Sequence, residues 1–325
     1  MTRTLNAGLH GFGRFAQHLL FSWLSHSRQF SIPYLVDEIL SLEDVYQLIT
    51  DHDRLDFSRF SPRLGAEGVV LTHSDGGEVE INYTCGIAAE VPWLGEVDLW
   101  LECSGRNSSI AACEPFLKGR TRQAIISATC WDADQTLVMG LNENQWSSRA
   151  KVLSYGSCTV NAFVPLADWL HQQYGVQQAY VNVVHNLPRH QLPAHSDPEW
   201  KICTLEKMAP QLLPWLSNEQ IFVSYATVPY TGGSLIEFNF RLNRVPSKQE
   251  VLQKLQHALE NTLKGLYRIE TEDPGVAGVL GARENAVFPL SGIEVIGDNL
   301  RFRGYFDNEN SAVRYLQLVE LIVGN

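Results

Sequence analysis

From residue 158 onward, apolar side chains recur at Val160, Phe163, Val164, Ala167, Leu170 and Tyr174. This is the spacing of one helix face, and it predicts an amphipathic helix. Just before it, Ala150 to Ser154 predicts a strand. The chain opens Leu5-Asn6-Ala7-Gly8-Leu9-His10-Gly11-Phe12-Gly13-Arg14-Phe15-Ala16, which predicts a short buried strand, a glycine turn and a helix through about Leu24. The apolar run Phe30 to Val36 predicts a second strand, ending in Asp37. Further on come strand Val97 to Cys103, helix Ser109 to Leu117, and strands Gln123 to Ala128 and Leu137 to Leu141. Strands alternating with helices predict a parallel sheet with crossover connections.

Beyond residue 158 the texture changes. Strand Ala179 to Val184 runs into His185, and a Pro-rich stretch follows from Pro188 to Pro214. Long strands at Ile221 to Pro229 and Ser234 to Leu242 flank Tyr230-Thr231-Gly232-Gly233. In the second, Leu235, Phe238, Phe240 and Leu242 among polar neighbours predict the inward face of a half-exposed antiparallel sheet. Ser247 with Glu250 three residues on is a capping-box pattern, opening a helix to about Tyr267. A last strand, Leu300 to Phe306, leads into Asp307-Asn308-Glu309 and a terminal amphipathic helix to Val323.

With 325 residues, 45% of them hydrophobic, the chain can build two domains with full cores. A net charge of −11 with no Lys/Arg run argues against nucleic acid or an anionic membrane as partner. No apolar stretch has spanning length and residues 1–30 lack a signal-peptide layout, so a cytoplasmic location is expected. Cys85, Cys103, Cys113, Cys130, Cys158 and Cys203 are dispersed, with no CxxC pair, which predicts reduced thiols and no metal site.

Two segments carry chemistry. Gly11-x-Gly13-x-x-Ala16 between a strand and a helix has the form that admits a dinucleotide, its pyrophosphate facing the helix N-terminus. Asp37 at the end of the next strand can accept from a ribose 2′-hydroxyl and repel a 2′-phosphate, which favours NAD. Turns after later strands, Ser104-Gly105 and Ala128-Thr129, fall where a bound dinucleotide lies. In Ser157-Cys158-Thr159-Val160-Asn161, the thiol at a helix mouth meets unpaired N–H groups and the positive dipole end, which favour the thiolate. His185 ends a strand from which a base can lie across from that sulfur; a small buried Cys158 is the plain alternative. His10, His190 and His195 read as structural more readily than as site residues. Trp200 and Trp215 read as packing residues.

In this order the pieces resemble glyceraldehyde-3-phosphate dehydrogenase over essentially the whole chain. The matching residues are Gly11-Phe12-Gly13-Arg14, Ile125-Ile126-Ser127-Ala128, Val138-Met139-Gly140-Leu141-Asn142, Ser157-Cys158-Thr159-Val160-Asn161, Pro165-Leu166-Ala167, His185 and Tyr305-Phe306-Asp307-Asn308-Glu309. The resemblance implies an α/β protein: an N-terminal Rossmann domain over 1–157, with a C-terminal helix (309–325) packing back on it, and an α+β catalytic domain over 158–308 with a mainly antiparallel sheet. It implies Cys158 as the nucleophile that forms a thiohemiacetal and then a thioester, and His185 as its base. Gly11, Phe12, Gly13, Arg14, Asp37, Ser104, Gly105, Ser127 and Asn308 would bind NAD, with Asn308 on the carboxamide. Ser157, Thr159 and Thr227 would face substrate. A homo-oligomer, dimer or tetramer, is implied as well.

The departures from that family concern phosphate. Pro188 and His190 stand where the family has two phosphate-binding threonines, and Ala226-Thr227-Val228-Pro229 lacks its arginine. The loop after His185 is short, with no clear equivalent of a Ser-Thr-Gly phosphate contact. The segment after Asn308 lacks the tyrosine that flanks the nicotinamide. A phosphate needs such donors to offset its desolvation; Arg189, Arg241 and Arg244 are the replacements to consider. The expectation is therefore an NAD-dependent aldehyde dehydrogenase with an altered substrate. A catalytically altered NAD-binding protein with a regulatory or assembly role is the alternative.

Overall fold

The computed structural model describes residues 4–26, 29–187, 189–230 and 232–324, apart from the side chains at 189–191 and 310. Pro188 therefore lies outside the described residues. So do the side chains of Arg189 and His190. The chain divides into two compact units: Met1–Leu137 with Asn142–Gly156 and Ala312–Asn325, and Val138–Leu141 with Ser157–Ser311.

The first unit holds β1 (Leu5–His10), α1 (Arg14–His26), β2 (Phe30–Asp37), α2 (Leu42–Thr50), β3 (Arg63–Leu64), β4 (Gly68–Thr72) and β5 (Glu78–Cys85). It continues with β6 (Leu99–Glu102), α3 (Ile110–Cys113), β7 (Gln123–Ile126), β8 (Gln135–Thr136) and β9 (Val152–Ser154). These strands form one sheet in the order β3-β4-β5-β2-β1-β6-β7-β9-β8. It is parallel except where β4 pairs with β3 and β5. From β1 the chain goes to β2 on one side and later to β6 on the other, so the sheet has a switch point at the carboxyl end of β1, where α/β folds bind ligands. The helix expected over Ser109 to Leu117 shrinks to α3 and a 3-10 turn, Glu114–Phe116, because Pro115 has no N–H to continue it. No strand forms at Leu137 to Leu141. Leu141 N–H instead closes a turn on the Val138 carbonyl at 3.0 Å, and Val138 joins the second unit's core.

The second unit holds α4 (Cys158–Tyr174), β10 (Val176–Asn186), β11 (Glu199–Trp200), α5 (Leu205–Leu212), β12 (Ile221–Val228), β13 (Ser234–Leu242) and α6 (Lys248–Glu260). Strands β14 (Tyr267–Glu270), β15 (Ala286–Pro289), β16 (Ile293–Ile296) and β17 (Asn299–Phe306) follow, after which α7 (Ala312–Gly324) returns to the first unit. The sheet order is β11-β12-β10-β13-β17-β15-β14, with β16 on β17, and most pairs are antiparallel. The protein is thus α/β with a Rossmann-type sheet and a second, mixed sheet. In β13 the inward set is Ile236, Phe238, Phe240 and Leu242, while Leu235 is 41% exposed. Side chains alternate strictly, so Leu235 cannot share a face with Phe238. Helix α6 stops at Glu260, and the chain re-enters as β14 at Tyr267 after Gly265 takes φ +71°. Among the described residues, no helix is long and apolar enough to cross a membrane.

Helix α4 carries Pro165 in its interior, where it removes one N–H and crowds the carbonyl of Asn161. Two distant side chains take over the freed groups. Asn285 donates to the Asn161 carbonyl at 2.8 Å, and the Tyr267 hydroxyl donates to the Ala162 carbonyl at 3.0 Å while accepting from Leu166 N–H at 3.1 Å. The first turn of α4 is thereby held although its ladder is broken. Tyr267→Phe leaves those two buried backbone groups without this partner, at an expected cost of about 1–3 kcal/mol, read as a lower melting temperature in calorimetry.

Candidate active site

Ser157 caps α4, its hydroxyl accepting from Val160 N–H at 3.4 Å, so Cys158 is the first helical residue. His185, one residue from the end of β10, places Nε2 3.6 Å from the Cys158 sulfur. Its Nδ1 lies 2.7 Å from the Asn186 carbonyl, which can only accept, so Nδ1 carries the proton and Nε2 is left as the acceptor. The ring packs against Tyr225 and Phe306, with centroids 5.4 and 5.9 Å away.

The helix mouth does not make this a thiolate. Burial foremost, then the nearby Cys203, push the Cys158 thiol up to about 12, outweighing the N–H groups of Thr159 and Cys158 that act to lower it. Burial likewise lowers His185, against the opposing effects of its bond to Asn186 and the charge of Glu309. At neutral pH the pair is a neutral thiol donating to a neutral imidazole. The arrangement suits proton transfer at the moment of attack rather than a standing ion pair.

Around the thiol the structure gathers hydroxyls. Ser157 Oγ is 3.2 Å from both Thr159 Oγ1 and Thr204 Oγ1, and Thr159 Oγ1 is 3.6 Å from the Cys203 sulfur. Thr227 lies in register with His185 across β10 and β12, its hydroxyl donating to the Glu199 carbonyl at 3.4 Å. Thr204 escaped the sequence reading because nothing in its Cys203-Thr204 context marks it; only the fold brings α5 beside α4. Asn186 and Ser234 were missed for the same reason. Ser234 Oγ donates to Asn308 Oδ1 at 2.8 Å and accepts from Asn186 N–H at 3.0 Å, and the Asn308 amide donates to Asn186 Oδ1. Asn308 therefore stands beside His185, its amide nitrogen 3.4 Å from His185 Nδ1 as well as donating to Asn186.

Of the candidate arginines, Arg241 and Arg244 are elsewhere. Arg241 pairs with Asp298 at 2.8 Å, and Arg244 pairs with Glu250 at 2.7 Å while lying over Tyr174. Along β13, Arg241 is six residues from Leu235, which faces Val184 near His185, a separation of about 20 Å. His195 pairs with Glu199 at 3.6 Å. Trp215 packs as expected, stacked on His171 at 4.0 Å, but Trp200 is 76% exposed.

In the first unit, the remaining site residues cluster at the switch point. Gly11 takes φ +83°, and a Cβ there would come within 2.5 Å of Ser104 Cα, so glycine is required by the protein's own backbone. At Gly13 a Cβ would meet nothing within 4 Å; the space over the start of α1 is open, as a pyrophosphate cradle requires. Phe12 is fully buried, leaving only its backbone to the turn; its N–H donates to Asp37 Oδ2 at 2.8 Å. Asp37 Oδ1 accepts from Ile39 and Leu40 N–H, and the carboxylate keeps lone pairs for a ribose. The Arg14 guanidinium lies 3.8 Å from Asp53. Ser104 and the positive-φ Gly105 follow β6, and Ser127 follows β7, its N–H donating to the Glu102 carbonyl at 2.9 Å. The donors and open glycine fit a dinucleotide.

No family model matches the chain. Curated proteins do, over nearly its whole length. A glyceraldehyde-3-phosphate dehydrogenase of Streptomyces avermitilis is 27% identical over 347 aligned positions, covering 99% of each chain. That of Kitasatospora aureofaciens is 27% identical, covering 96% of this chain and 98% of its own. That of Mycobacterium leprae is 25% identical with 98% of each covered. The chain is a divergent relative of these proteins.

Two outcomes follow from the geometry. Iodoacetamide labelling of Cys158, followed by mass spectrometry, should accelerate with pH throughout the neutral to alkaline range without a plateau, since the raised thiol loses its proton only far above neutrality. Gly13→Ala should change stability by no more than ~0.5 kcal/mol yet weaken dinucleotide binding by about ten-fold or more, whereas Gly11→Ala should destabilise the fold by ~1–2 kcal/mol or more; calorimetric melting and titration separate the two.

Proposed function

We propose that this divergent relative of the glyceraldehyde-3-phosphate dehydrogenases is an NAD-dependent aldehyde dehydrogenase that uses Cys158 and His185. The observation that carries the reading is the Cys158 sulfur 3.6 Å from an unprotonated His185 Nε2 whose other nitrogen is held by a carbonyl. As the sulfur attacks an aldehyde carbonyl, Nε2 takes the thiol proton, and the N–H groups at the start of α4 face the developing charge. The product is a thiohemiacetal on Cys158. NAD, when bound, supplies the hydride acceptor. The resulting thioester is cleaved by phosphate or water, with His185 available to move the proton. Asp37 and the turn at Gly11 to Gly13 hold the adenosine and diphosphate ends. Asn308 is the residue that the family resemblance assigns to the carboxamide.

The substrate differs from a triose phosphate in this reading. Near the thiol stand the hydroxyls of Ser157, Thr159, Thr204 and Thr227, while Arg241 and Arg244 are engaged in ion pairs at the far end of β13. Hydroxyls alone recognise neutral polar groups well and offset a dianion's desolvation poorly. A short hydroxylated aldehyde is the class that fits. A homo-oligomer in the cytoplasm goes with the family reading.

Following NADH formation over a panel of phosphorylated and unphosphorylated aldehydes, with and without inorganic phosphate, tests both parts. Unphosphorylated substrates should give the higher kcat/KM. Cys158→Ser should abolish turnover, and His185→Asn should lower kcat by about 10²–10⁴-fold. Turnover that survives Cys158→Ser removes the mechanism, and activity confined to glyceraldehyde 3-phosphate with phosphate removes the substrate assignment.

A further inference from the structure

Strands β1 and β6 end side by side on a buried histidine–glutamate pair that plays no part in the reading above. His10 and Glu102 are register partners, 2% and 1% exposed, with Nδ1 and Oε2 2.6 Å apart. The imidazole is boxed edge-on by Trp100 and Phe116, at 5.6 and 5.5 Å. The carboxylate also accepts from Ser104 N–H at 3.0 Å, the Ser104 hydroxyl, the Asn107 amide at 3.2 Å and the Trp100 indole at 3.3 Å. Burial acts to raise the Glu102 carboxyl, but the His10 bond and charge, with those from Ser104 and Asn107, outweigh it and hold it below the usual carboxylate range.

Stability alone is a poor account of such a pair, because apolar residues of similar volume often serve as well. Its position gives a better one. His10 immediately precedes Gly11, and Glu102 fastens Ser104, whose backbone is what excludes a Cβ at Gly11. One carboxylate thus ties together the two turns that flank the switch point, next to the glycine turn whose form admits a diphosphate.

We propose that His10 and Glu102 are positioning residues of the dinucleotide site and that the charge on His10 tunes its affinity for a diphosphate, an inference that rests on the cofactor reading above. When His10 is protonated the pair carries no net charge. When it is not, one uncompensated negative charge lies under the anion. The other titratable groups facing the pair are the Cys103 and Cys113 thiols and the Tyr315 phenol, each held neutral by burial. Asp37, at the end of the adjoining β2, faces the turn from its other side through Phe12 N–H, and Glu38 and Arg106 form an outer pair at 3.0 Å. The imidazole of His10 is the one basic group of the pair.

Titration calorimetry with ADP-ribose, which carries the diphosphate but no nicotinamide, tests this on wild type, H10Q and E102Q from about pH 5.5 to pH 8.5. Wild-type affinity should fall by about five-fold across that range, and H10Q should be flat. E102Q keeps an acceptor for Ser104 N–H but no charge, and should bind at the alkaline end at least as tightly as wild type. A flat wild-type profile, or an H10Q profile identical to it, overturns the proposal. If H10Q does not fold, E102Q decides, since uniformly weaker binding at every pH makes the pair structural only. Wild type that binds no ADP-ribose at any pH overturns the cofactor reading and this inference with it.

Discussion

The bond between His185 Nδ1 and the Asn186 carbonyl determines what the second unit can do. A carbonyl can only accept, so it fixes the proton on Nδ1 and presents the bare Nε2 to Cys158. Without that constraint, the imidazole could turn a donor toward the sulfur, and the thiol would have nowhere to send its proton. The surrounding polar residues serve the same end. Ser234 holds Asn186 N–H, Asn308 bonds both, and β10, trapped between β12 and β13, cannot drift away from α4.

The first unit rests on a comparable economy of geometry. Gly11 and Gly13 look alike in sequence but differ in kind. One is glycine because the protein's own backbone at Ser104 fills the space, and the other because the space is left open. The same carboxylate that anchors Ser104 also meets His10, so the shape of the turn and its electrostatics are set by one small group of buried atoms. Low local polarity makes such groups strong, and makes any one of them costly to leave unmatched.

The scaffold and the surroundings of the thiol are separate features of the chain. The sheets, the helix start and the Cys/His contact accompany a relationship that spans nearly the full chain at 27% identity. The hydroxyls around the thiol come from the starts of α4 and α5 and from β12, while Arg241 and Arg244 are engaged in ion pairs at the far end of β13.

The sequence alone determined the elements whose signals are local. The period of α4, the cap at Ser247, the strand–turn–helix at Gly11 to Ala16 and the acid ending β2 were legible because each depends on neighbours a few residues away. Errors arose where a local signal was broken or incomplete: Pro115 cut a helix short, Val138 to Leu141 turned instead of extending, and Leu235 faced outward by the parity of its strand. Only the tertiary structure decided the rest. It brought Thr204, Ser234, Asn285 and Tyr267 to groups 47 to 124 residues away, and showed that burial keeps Cys158 protonated where its helix position suggested otherwise. Hydrogen bonds and desolvation across such separations depend on which surfaces the sheets bring together, and no spacing along the chain encodes that.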